Sequence, residues 1–96
     1  MTIPSGATWT FEIQLAARSN TGGNSAGYLF SGVIKNVGGT TAIVGAVTKT
    51  VLAEDVGAWD ANALEDNTND ALVVRVNGDN SNIRWVATVR PAEVQY

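Results

Sequence analysis

The sequence predicts an all-β fold, an antiparallel β-sandwich of jelly-roll-like pattern with six or seven short strands, and three observations predict it. Apolar residues recur at every second position in segment after segment, the period of a strand with one buried face. Clusters of Gly, Asn and Asp break the chain about every 10 to 15 residues, as turns do in a sandwich. No stretch carries a sustained helical period; residues 46–58 come nearest, yet Val47, Thr48, Thr50 and Val51 are poor helix formers. At 96 residues the chain is expected to make one domain, residues 1–96.

Residues 7–17 give the clearest strand: Ala7, Trp9, Phe11, Ile13, Leu15 and Ala17 take the odd positions and are expected in the core. Residues 18–26, with Asn20, Gly22, Gly23 and Asn24, supply loop chemistry, so a hairpin should follow. Its return strand is 27–36. There Tyr28, Phe30, Gly32 and Ile34 share the core face, and Leu29, Ser31, Val33 and Lys35 share the other. A sandwich cannot bury both faces of one strand inside itself, so Leu29 and Val33 become candidate subunit contacts.

Gly38-Gly39 ends that strand, and residues 41–52, rich in Val and Thr, read as one long or bent strand with a bulge or close approach at Gly45. Residues 58–64 follow as a short strand with Trp59, Ala61 and Ala63 on one side. After the polar turn at 66–70, Leu72, Val74 and Val76 alternate with Val73 and Arg75. Asn77-Gly78-Asp79-Asn80 is a hairpin signal. Residues 83–90 close the set, with Trp85, Ala87 and Val89 inward and Arg84, Val86, Thr88 and Arg90 outward, and Pro91 should limit further pairing.

Composition excludes several chemistries. There is no Cys and no His, which removes disulfides, closed zinc sites of N/S type and His-dependent catalytic triads. A net charge of −3 does not suit nucleic acid. The longest apolar run, residues 42–47, is far shorter than the about 18 needed to insert in a membrane. Residues 1–6 lack the basic and apolar regions of a secretory signal.

The acids at Glu54, Asp55, Asp60, Glu65, Asp66, Asp70 and Asp79 fall in turns or at strand ends, where Asp is common because it bonds its own backbone, so no catalytic pair is assigned. Glu12, alone in mid-strand, should face Lys or Arg across the sheet. The oxygen-rich run 66–70 departs from an EF-hand, with Ala71 where the loop needs Gly and Asn77 where it needs Glu, so no metal and no cofactor is expected. Among the aromatic residues, Trp9 and Trp85 fall in register with core positions. Trp59, with Asp60 beside it, follows a loop and is the more open candidate for binding, and Tyr96 is a candidate for an intermolecular contact.

Several segments read together resemble a domain that recurs near the carboxyl end of tail fibre and tailspike proteins of tailed bacteriophages. They are Trp9-Thr10-Phe11, Ala16-Ala17-Arg18, the run from Gly27 to Gly32, the run from Val44 to Thr50, Ala53-Glu54-Asp55, Trp59-Asp60, the run from Ile83 to Ala87, and Glu93-Val94. Together they cover most of the chain. The resemblance implies a virion module, made in the host cytoplasm, attached to a longer fibre or spike chain and assembled as a homotrimer, with host surface polysaccharide as a further partner. It carries over no catalytic residue. Small size points the same way, because a core this small is marginal unless copies associate. Leu29 and Val33, with Val86 on the outward face of 83–90, are the candidate interface. The competing expectation is a monomeric carbohydrate-binding module centred on Trp59.

Overall fold

The computed structural model describes residues 1–20, 22–79 and 82–96; the parts of the expected loops that fall on Thr21 and Asn80 lie outside them. Among the described residues six strands run in chain order: β1 (Ala7–Ser19), β2 (Ser25–Val37), β3 (Thr40–Glu54), β4 (Asp60–Asp66), β5 (Ala71–Asn77) and β6 (Ile83–Gln95). They form two antiparallel sheets, one of four strands in the order β3-β2-β1-β6 and one of two, β4-β5. The fold is all-β, a small sandwich of four strands on two, and no helix among the described residues is long and apolar enough to cross a membrane.

Period-two patterning sets the faces. Phe11, Ile13, Leu15 and Ala17 of β1 are buried with Ala26, Tyr28, Phe30 and Ile34 of β2, while the residues between them on β1 are exposed. The β4–β5 hairpin lies on this inner face and adds Trp59, Ala61, Ala63 and Leu72 to the same core. Beneath it Gly32 makes room for an aromatic ring: a Cβ there would stand 3.0 Å from Phe11 Cζ and 3.5 Å from Val47 Cγ2. β3 accommodates this by bulging, since its register with β2 slips between Ser31 and Val33, where Gly45 takes φ +71°. A second slip at Gly27/Tyr28 leaves Leu52 as the extra residue.

β2 and β3 are joined by Gly38-Gly39, whose φ values of +59° and +90° are those of a two-residue hairpin turn that suits the twist of the strands it connects. Asn36 secures this end, donating to the Ile3 carbonyl and accepting from Gly39 N–H.

Three expectations are corrected. Pro91 does not stop the last strand: β6 continues to Gln95, with Pro91 opposite Phe11. An edge strand tolerates proline because an outward-facing N–H has no ladder bond to lose. Asn77-Gly78 does not close a hairpin either, since β5 pairs with β4 and β6 with β1, so this connection crosses between sheets. A Cβ at Gly78 would lie 2.7 Å from Ile83 Cδ1, the far end of a side chain that can turn aside. Finally, Ala87 is exposed and Trp85 and Val89 only half-buried, although all three sit on the inner side of β6. The hairpin lies over β2 and β3, leaving β6 at the margin of its cover.

The chain start takes part as well. Ile3 is fully buried, its N–H donating to the Asp70 carbonyl, and Thr2 bridges Ala71, so residues 2 and 3 extend the smaller sheet beside β5.

Candidate functional site

The aromatic residues and the charges near them form one cluster between the sheets. Tyr28, held on the inner face of β2, stacks on Trp85 at a centroid distance of 6.4 Å, and Trp85 meets Trp59 at 6.1 Å with tilted planes. The Lys49 ammonium lies 5.7 Å from the centre of the Tyr28 ring and pairs with the Asp60 carboxylate. Tyr28 Oη donates to Glu54 Oε2 at 2.7 Å. Burial first, then this hydrogen bond and the negative charges of Glu54 and Asp60, push the Tyr28 phenol up to about 12. The hydrogen bond and charge of Lys49 hold Asp60 below the usual carboxylate range. Near neutral pH the phenol keeps its proton and Asp60 stays ionised, so the cluster is a charged clamp joining β2, β3 and β4.

This geometry corrects the place given to Trp59. It is not open to solvent but 2% exposed, the largest fully buried side chain, and its Nε1 has no acceptor among the described residues. The sequence shows a loop before it, and only the packing of β4 on the large sheet turns the ring inward. Trp9 and Trp85 are the half-buried pair, and Trp9 Nε1 donates to Glu93 Oε1. Asp60 is spent on Lys49, and Tyr96 is fully exposed, held through its backbone N–H to the Gly6 carbonyl.

The oxygens of 66–70 are also engaged. Asp66 accepts from the N–H groups of Thr68 and Asn69 and from the Asn69 amide, and the last of these is the main reason its carboxyl titrates below the usual range. Asn67 and Asp70 accept from Thr41.

Among the described residues, no element packs on the outer face of the four-stranded sheet. Leu29 and Val33 are half-buried by neighbours in their own sheet, whereas Val44, Leu52, Val86 and Val94 are 44 to 63% exposed. Register places Val33 beside Thr10 and Val44 in one cross-strand row, and Ala16 beside Gly27 and Val86 in another. Between these rows lies a polar one of Glu12, Ser31, Thr48 and Arg90, in which Glu12 stands opposite Arg90 as its mid-strand position predicts, but the expected ion pair between them does not form among the described residues. At one end of the sheet, Arg18, Asn20, Asn82 and Arg84 contribute to a concavity of about 770 Å³. Comparison with protein-family models, curated proteins and solved structures finds no match to this chain.

Proposed function

We propose that this domain is a non-enzymatic virion module at the end of a phage tail fibre or tailspike, and that it joins three copies through the outer face of the four-stranded sheet. The observation that carries the proposal is that uncovered face. Strands of 13 residues span about 43 Å, so four of them offer a footprint of about 800 Å², a face that two neighbours would share in a closed trimer. The domain is drawn out to 49 × 22 × 18 Å, a shape suited to packing lengthwise around an axis. Growth through the sheet edges is disfavoured, because β3 carries two bulges and β6 carries Pro91, devices that blunt an edge against strand addition. The resemblance of its segments to tail-fibre domains supplies the setting of the proposal.

Sedimentation equilibrium at micromolar concentration tests it. Three chains per particle are expected, and Val86→Lys combined with Leu52→Lys should yield monomers with the parent β-sheet circular dichroism, because both side chains are exposed in the single chain. A monomeric parent, or a doubly substituted chain that stays trimeric, would refute the interface. The competing module centred on Trp59 loses its main support with that ring buried.

A further inference from the structure

Arg18 and Arg84 are cross-strand partners, so both side chains leave the outer face side by side, about 5 Å apart at Cβ. Like charges directly opposite are destabilising. Composition does not force the pairing, since six cations are set among nine acids. Among the described residues neither guanidinium has a carboxylate within ion-pair distance, and Arg18 leans back over the loop, its Nη2 3.3 Å from where a Gly23 Cβ would stand. The strand ends that carry the two side chains are tied by Asn20 N–H to the Asn82 carbonyl at 3.0 Å, and the concavity opens beside them.

We propose that Arg18 and Arg84 form a binding site for an oxyanion, the carboxylate, phosphate or sulfate group of a ligand. Two planar forks on a fixed frame match a group that presents two or three oxygens. Asp55 lies beyond Ser25 in the same row, its carboxylate accepting from the Ser25 N–H, so the anion supplies the counter-charge that neither arginine has within ion-pair distance among the described residues, and draws Arg18 back from Gly23 toward Arg84. The pair occupies the last row of the outer face, beside the β1–β2 and β5–β6 connections, and so stays open at the end of the molecule when the rest of the face is covered. The inference stands independently of the trimer; in a trimer packed through that face, three such pairs would surround one end of the axis.

The test is titration of the isotopically labelled full chain with sulfate, phosphate and acetate at constant ionic strength, sodium chloride making up the difference. Saturable shifts confined to residues 18–20 and 82–84 are expected, and Arg18→Gln or Arg84→Gln should weaken the fitted Kd about 10- to 100-fold. Glucuronate and glucose 6-phosphate, run against glucose, assign the preferred anion to a carboxylate or a phosphate source. In anion-poor buffer Arg84→Gln should melt no lower than the parent, because substitution removes a repulsion. An equal response in parent and both variants, or a lower melting temperature for Arg84→Gln in that buffer, would overturn the site. Sedimentation of the same samples separates the two proposals: a monomer that still binds removes only the trimer.

Discussion

At the scale of single residues, the three tryptophans divide by burial. Trp59→Ala should cost about 3 to 5 kcal/mol through the cavity it opens. Trp85→Ala should cost less, since half-buried Trp85 already has part of its ring in water. Trp59→Phe should fall between the parent and Trp59→Ala, because it loses volume but removes a buried donor that has no acceptor. Urea midpoints of the three variants check this order. Tyr28 makes a pH prediction. Its folded pKa of about 12 lies above the ordinary 10, so its contribution to stability is complete below pH 10 and is lost as pH rises through 12. With Tyr96→Phe leaving Tyr28 the only tyrosine, absorbance at 295 nm should show phenolate forming near pH 12, together with loss of the fold.

At the scale of elements, β1 and β2 are the frame and β3 bends to fit them. The ring of Phe11 covers Gly32, and the β3 bulge brings Val47 over the same spot. Gly32→Ala should therefore destabilise by about 1 to 3 kcal/mol, as overpacking does, and a thermal melt beside Gly57→Ala, where a Cβ meets nothing within 4 Å, measures it. The strands on either side of Gly32 can be read from alternation in the sequence. The demand on Gly32 itself cannot, because it comes from a ring on another strand.

At the scale of the whole molecule, the smaller sheet is anchored from the far end of the chain. Ile3 is buried against a core that includes Leu72, while Met1 and Leu72 exchange backbone hydrogen bonds. Ile3→Ala should cost about 2 to 5 kcal/mol, and native-state hydrogen exchange should show β4 and β5 losing protection before β1. The central pair β1 and β2 has neighbours on both sides, whereas β3 and β6 each have a free edge. The same layout leaves one sheet face bare, and the proposed assembly rests on that face.

By itself the sequence determined the local structure: strand identity, the buried side of β1 and β2, the Gly38-Gly39 turn, and Leu29 and Val33 on the face away from the core. These follow from side-chain alternation and backbone sterics, which act between near neighbours. Tertiary structure alone decided how far the inner face is covered, and so buried Trp59 while leaving Ala87 exposed on a strand of the expected pattern. It also decided that Asn77-Gly78 crosses between sheets, that Thr2 meets Ala71, and that Arg18 stands beside Arg84. Alternation states which way a side chain points, but what lies opposite is set by pairing between residues far apart in the chain, and no local pattern encodes that.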